Sequence, residues 1–192
     1  MYKKQMKFEK IVCFVMLVAA AVVFVYSLGL MTDLYDSLYP TMMNPANHEE
    51  TWVPGSIIYY DMQDFNRMLL KIGIGMILIS LLLFVVGNHT RRRYYAANYV
   101  ATGLNVLAAA AATVWALPQI AAFREQYLQV DFEALQFFSE MWSSPYIEST
   151  FWFDAGLYVF IFLLIAAALL VVNMIWKIDM MKSEKKLLEK GE

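Results

Sequence analysis

Four long apolar runs, separated by polar stretches, constrain this chain more than any other feature of its sequence. They lie at about 11–31, 68–87, 95–117 and 153–176, and each has roughly the 20 residues that an α-helix needs to cross a bilayer. The chain of 192 residues is 60% hydrophobic and 17% charged, whereas soluble domains have about 45–50% apolar and 25% charged residues. We therefore predict an all-α integral membrane protein, a single domain built as a four-helix bundle of transmembrane helices.

The basic residues are distributed unequally between the two sides that four crossings create. Twelve of the fifteen flank the start of the first run, the 88–94 loop and the 177–192 tail, whereas most acidic residues lie in the loops 32–67 and 118–152. Because Lys and Arg accumulate on the cytoplasmic side, we predict that both termini are cytoplasmic and that the two long loops are extracytoplasmic. The length of the first run favours a retained span over a signal peptide, whose apolar region has about 7–15 residues.

The same charge distribution bears on partners. A basic inner side is suited to anionic lipid. Neither side carries the basic groove with interleaved aromatic residues that binds nucleic acid, so we expect no nucleic-acid partner.

The two halves of the chain share a weak internal similarity. A shift of 89 residues places Ala19–Ala21 over Ala108–Ala110 and Tyr26 over Trp115. This suggests two parallel-repeat hairpins, each reading span, outer loop, span. Alanine-rich segments also align by chance, so both interpretations stay open at this point.

The second outer loop contains a helical pattern of apolar residues between 123 and 142. The stripe recurs at three- or four-residue spacing opposite acidic and amide side chains, and its members are Leu128, Phe132, Leu135, Phe138 and Trp142. We predict one amphipathic helix here, packed inward as a helical extracytoplasmic cap. Its polar face is acidic, whereas membrane-surface helices carry Lys and Arg, so the alternative to a plain cap is a docking surface for a partner protein.

Charged side chains lie around the start of the second span on one predicted helix face. Asp64, Arg67 and Lys71 are spaced by three and four residues, which permits ion pairing. Lys71 either binds an anionic substrate or lipid head group, or extends to the membrane interface beside Asp64. The predicted outer interface comprises Asp64, Arg67, Lys71, Phe132, Leu135, Phe138 and Trp142.

No Asp, Glu, Arg or His lies near the middle of any span, which weakens an ion-coupled transport function. The deepest polar residue is Asn105 on the third span, which has the lowest hydropathy and which we predict to be innermost. Small residues around it favour close helix packing, with a pore lining as the alternative. The candidate packing or pore residues are Asn105, Ala101, Ala108, Ala112, Gly73, Ser80 and Asn173.

Sequence motifs for catalysis and cofactor binding are missing. The chain has one cysteine, Cys13, and two histidines without a second ligand at metal-binding spacing, and no glycine-rich phosphate loop. We expect no metal, no cofactor and no enzymatic activity; a membrane enzyme would have to use outer-loop carboxylates as its acid–base groups.

The features together favour a non-catalytic accessory or scaffold subunit. Such a subunit would bind another membrane protein through its outer loops or its small-residue helix faces. The alternative is self-association into a homo-oligomeric channel or a small transporter, whose acidic outer mouth would concentrate cations.

Overall fold

The computed structural model of the protein describes residues 2–43, 51–87 and 95–190, and the regular elements in these ranges are helices. Helix α1 is Tyr2–Gly29, and it continues through a π-helical turn at Leu30–Leu34 into the short helix α2 at Tyr35–Leu38 and a 3-10 turn at Tyr39–Thr41. The remaining helices are α3 at Ile58–Gly87, α4 at Tyr95–Tyr127, α5 at Phe132–Trp142 and α6 at Phe151–Lys190.

Four helical segments among the described residues are long and apolar enough to cross a membrane. They are Lys3–Thr41, Ile58–Gly87, Ala96–Tyr127 and Phe151–Lys186. For the part of the chain that the structure describes, this confirms the prediction of an all-helical fold with four candidate spans. The predicted cytoplasmic loop 88–94 lies outside the described residues.

The helices extend well beyond the apolar runs. Helix α3 begins at Ile58, ten residues before its run, and α6 continues through most of the predicted tail to Lys190. Neither extension contains a glycine or proline that would end a helix. Hydropathy therefore predicted the spans but not the helix ends. A helix can continue beyond its apolar run with polar residues, such as Asp64 and Lys185, that face solvent.

The described contacts divide the chain into two compact units. Unit 1 comprises Met1–Ala21, Ile74–Thr113 and Ile161–Glu192, and unit 2 comprises Val22–Gly73 and Val114–Phe160. Each unit has a core of fully buried apolar side chains. Those of unit 1 include Met16, Leu83, Ala109, Leu163 and Leu170, and those of unit 2 include Leu34, Met62, Leu69, Tyr127 and Leu135.

The first span is the most buried of the four. In its most apolar window 44% of the residues are buried, against 28% for the third span, so the prediction that the third span is innermost is wrong. The low hydropathy of the third span reflects its many alanines, which are only weakly apolar because they are small, as well as a few buried polar residues such as Asn105.

The predicted single helix at 123–142 is two helices joined by a turn. Helix α4 continues to Tyr127, and α5 starts after Asp131, whose side chain accepts a hydrogen bond from the backbone N–H of Ala134 at 3.0 Å. This N-cap replaces the intrahelical partners that the first turn of a helix lacks. Leu135 is buried, but Leu128 and Trp142 are exposed, so the inward stripe does not run through the whole segment.

The turn between α4 and α5 packs against the segment that precedes α3, within unit 2. The backbone N–H of Asp131 donates to the carbonyl of Pro54 at 3.0 Å. Gly55 has a φ of +81°, and a Cβ atom there would lie 2.7 Å from the carbonyl oxygen of Gln129. Both the backbone conformation and the close approach therefore require glycine at this position.

Candidate functional site

Unit 1 contains a cluster of buried polar side chains around one ion pair. Helix α1 supplies Gln5 and Glu9, α4 supplies Asn98, and α6 supplies Asn173 and Lys177. The Lys177 Nζ lies 2.9 Å from Glu9 Oε1, and the two side chains are only 8% and 5% exposed. We call these five residues the buried polar cluster.

Hydrogen bonds connect every member of the buried polar cluster. Asn98 Nδ2 donates to Glu9 Oε1 at 2.9 Å, and Gln5 Nε2 donates to Glu9 Oε2 and to Asn173 Oδ1, both at 3.1 Å. Lys177 Nζ also donates to Asn98 Oδ1 at 3.1 Å. Hydrogen bonds thus join three helices, and each oxygen of the Glu9 carboxylate accepts at least one of them. A buried ion pair needs such additional hydrogen bonds to offset its desolvation.

The sequence did not predict this cluster, because Lys177 falls in the predicted cytoplasmic tail and Glu9 lies among the lysines before the first span. Two signals were present. Gln5 and Glu9 are four residues apart on one helix face, and so are Asn173 and Lys177. Pairing across 168 residues, however, cannot be read from local spacing.

The amide of Asn105 makes three hydrogen bonds to helix partners within unit 1. Its Oδ1 accepts from Ser80 Oγ at 2.7 Å, and its Nδ2 donates to the backbone carbonyls of Ile79 at 3.1 Å and Ala101 at 2.9 Å. The bonds to Ser80 and Ile79 join α4 to α3. Both N–H donors of this amide are used, which suits a residue that holds two helices together rather than one that lines a solvated path.

The other predicted packing residues are divided between the two units. Ala101 and Ala112 are buried and Ala108 is half-buried in unit 1, where Asn173 belongs to the buried polar cluster rather than to the surroundings of Asn105. Gly73 belongs to unit 2, where a Cβ atom would lie 3.0 Å from the Cα of Phe24. It therefore permits a close approach of α1 and α3 there.

The predicted charged ladder on α3 is short and solvated. Arg67 Nη1 lies 3.6 Å from Asp64 Oδ1, but the two side chains are 66% and 94% exposed. Lys71 is also exposed on this helix. Exposed pairs of this kind contribute little to stability.

An exposed aromatic groove lies along α5 in unit 2. It has a volume of about 790 Å³, and we call it the α5 groove; its walls include Trp52, Phe137, Phe138, Met141 and Trp142. Trp52, Phe137 and Trp142 are each more than 60% exposed. With 11 residues, α5 is too short to cross a bilayer and is not among the candidate spans.

The opposite side of α5 is fixed to unit 2. Leu135 is buried, and the ring of Phe132 packs edge-on against that of Tyr127 with centroids 5.3 Å apart. The Tyr127 hydroxyl donates to the carbonyl of Ile147 at 2.7 Å. Of the predicted interface aromatics on α5, Phe138 and Trp142 therefore line the groove, while Phe132 packs against Tyr127. Phe137 and Met141 were missed because each comes one residue before a member of the predicted stripe and so lies on a neighbouring helix face.

Within the described ranges no group of three His, Cys, Asp or Glu side chains could hold a metal ion. No known protein family, curated protein or solved structure matches the chain. Its function must therefore be inferred from its own residues, above all from the α5 groove.

Proposed function

We propose that the protein is a non-catalytic accessory or scaffold subunit that binds another membrane protein through the α5 groove. The observation that supports this proposal is the exposure of Phe137, Met141 and Trp142 on a helix that is outside the candidate spans. Large apolar side chains on the spans can be covered by lipid tails, but those on α5 need another partner. Exposed aromatic and methionine side chains around a concavity are typical of protein interfaces.

The charges near the groove indicate the chemistry of the partner. Helix α5 carries Glu133 and Glu140, follows Asp131, and has no basic residue. A membrane-surface helix would instead carry Lys and Arg. We infer that the partner inserts an aromatic or aliphatic side chain into the groove and places Lys or Arg beside it, because complementary charges speed association and favour the correct partner.

The proposal includes an orientation in the membrane. Both termini face the cytoplasm and the α5 groove faces outward, with α5 as an extracytoplasmic cap and anionic lipid at the basic side. Pairing between Lys177 and Glu9 removes one charge of each sign and so leaves the net excess of basic residues on the inner side unchanged. The two-hairpin repeat remains part of this proposal as an interpretation of the sequence alignment alone.

A channel or transporter is the weaker proposal. It would need a hydrated path past Asn105, whose side chain is instead hydrogen-bonded to Ser80 and Ile79 of α3. This bonding favours a packing role for the residue.

Copurification from native membranes tests the docking proposal. We expect Phe137→Ser/Met141→Ser to lose a heterologous partner that the unaltered chain retains in stoichiometric amount. Val114→Ser is the matched control, because Val114 is at least as exposed but lies on a candidate span. The acidic surroundings also predict that the partner dissociates as salt is raised.

Two results would oppose the docking proposal. One is an equal yield of the partner with the groove variant. The other is purification of the chain only as a homo-oligomer that both variants form equally well.

A further inference from the structure

A second groove lies between α4 and α6 of unit 2, and its polarity changes along its length. It has a volume of about 660 Å³, within the usual range of ligand sites. We call it the α4–α6 groove; its lining includes Leu117, Ala121, Arg124, Asp154, Leu157 and Tyr158. Arg124 and Asp154 lie near the ends of the two candidate spans, whereas Leu117 and Leu157 lie further into them.

At the charged end of this groove Arg124 contacts two carboxylates, that of Asp154 in the lining and that of Glu125 beside it. Arg124 Nε donates to Asp154 Oδ1 at 2.9 Å, and Arg124 Nη1 lies 3.4 Å from Glu125 Oε1. Thr150 Oγ1 donates to the other Asp154 oxygen at 2.8 Å, which fixes that carboxylate. One guanidinium therefore stands between two carboxylates, and it has five N–H groups of which these contacts use two.

We propose that the α4–α6 groove binds a zwitterionic phospholipid whose head group carries a primary ammonium. The lipid phosphate binds the remaining N–H groups of Arg124, and the ammonium binds the carboxylates of Asp154 and Glu125. One acyl chain follows the apolar wall past Leu157 into the span. The groove is charged at the end of the spans and apolar further in, as a phospholipid is charged at its head group and apolar along its acyl chains. This agreement favours a lipid over a soluble ligand.

The local charge decides between head groups. Two carboxylates and one guanidinium leave a net charge of −1, which repels an anionic lipid such as phosphatidylglycerol, whose head group has no cation to place beside the carboxylates. A trimethylated ammonium has the right charge but no N–H to donate, whereas a primary ammonium can form charge-assisted hydrogen bonds to both carboxylates. This proposal is independent of the docking partner at α5.

Native mass spectrometry of the purified chain in mild detergent tests the lipid site. Equal amounts of dipalmitoyl phosphatidylethanolamine, phosphatidylcholine and phosphatidylglycerol would be added in separate titrations. We expect the ethanolamine lipid to bind about tenfold more tightly than either of the others, since hydrogen bonds to charged groups contribute at least one decade of affinity.

Three variants and a control separate the parts of the site. Arg124→Gln should lose the preferred lipid, and Leu157→Trp should lose it by filling the groove without touching the charges. Asp154→Asn should move the preference toward phosphatidylglycerol, because it brings the local charge to zero. Asp179→Asn removes an exposed carboxylate elsewhere on α6, outside the groove lining, and should change nothing.

The proposal is overturned if phosphatidylglycerol or phosphatidylcholine binds the unaltered chain as tightly as phosphatidylethanolamine. It is also overturned if Leu157→Trp, with an unchanged melting temperature, retains the same lipid affinity. The change in head-group preference in Asp154→Asn is a signature that a generally destabilised protein would not produce.

Discussion

Removal of Lys177 leaves the buried Glu9 carboxylate without its counter-ion. The resulting change in the free energy of unfolding measures how strongly unit 1 depends on this ion pair. In Lys177→Met the Glu9 side chain keeps the amide donors of Asn98 and Gln5, at 2.9 and 3.1 Å, but loses the ammonium at 2.9 Å. Since Glu9 is 5% exposed at its side chain, water cannot replace that ammonium without local opening.

The expected cost follows from this burial. Removing one partner of a buried ion pair lowers the free energy of unfolding by about 3–5 kcal/mol. Replacing both partners, in Glu9→Gln/Lys177→Met, leaves a neutral amide among amides and should cost no more than about 1 kcal/mol. The double variant should therefore be more stable than the single variant Lys177→Met.

Reversible unfolding in mixed micelles, followed by far-ultraviolet circular dichroism, measures these differences. A double-mutant cycle on Glu9 and Lys177 gives their coupling. The matched control is the same cycle on Asp64 and Arg67, a pair separated by 3.6 Å and largely exposed, for which we expect little coupling. Equal coupling in the two cycles, or a Lys177→Met variant as stable as the unaltered chain, would refute the reasoning.

Three further outcomes are expected. Asn105→Leu should lower the free energy of unfolding by about 1 kcal/mol, the scale of membrane side-chain hydrogen bonds, and should leave ion flux across reconstituted vesicles unchanged; a flux that only the unaltered chain supports would favour a channel. Gly55→Ala should cost about 1–3 kcal/mol in thermal unfolding, because its positive φ and close backbone contact exclude a side chain; an unchanged melting temperature would contradict this. In a Cys13→Ser background, Ser144→Cys should react with an impermeant thiol reagent on intact cells and Ser183→Cys should not; the reverse pattern would overturn the orientation.

The candidate spans could be predicted from the sequence because each depends on about 20 consecutive residues of similar polarity. The helix ends could not, since Ile58 and Lys190 lie in segments where hydropathy no longer discriminates helix from loop. The division of the 123–142 segment between α4 and α5 depends on the N-cap at Asp131. An Asp before a helical pattern is a recognisable signal for a helix start. However, the four-residue spacing of Leu128 and Phe132 also fits one continuous helix through Asp131, so the break was not predicted.

The sites differ in how far local pattern reveals them. Asn105 is deep in a span, so hydropathy alone singled it out. Glu9 and Lys177 each look like solvated residues of a basic end, and only the tertiary fold pairs them. Phe137 and Met141 are four residues apart, yet exposure rather than spacing makes them candidates for docking. Burial is a property of the fold, which a single sequence does not show.

Photo-crosslinking from position 137 tests the central proposal most directly. A photoreactive amino acid in place of Phe137, activated in native membranes, should give one adduct to a single heterologous membrane protein that is lost when salt is raised before irradiation. The same amino acid in place of Val114 should give lipid adducts instead, since Val114 is an exposed residue of a candidate span. Adducts from position 137 that contain only lipid, or only a second copy of this chain, would contradict the account of the protein as an accessory subunit that docks through α5.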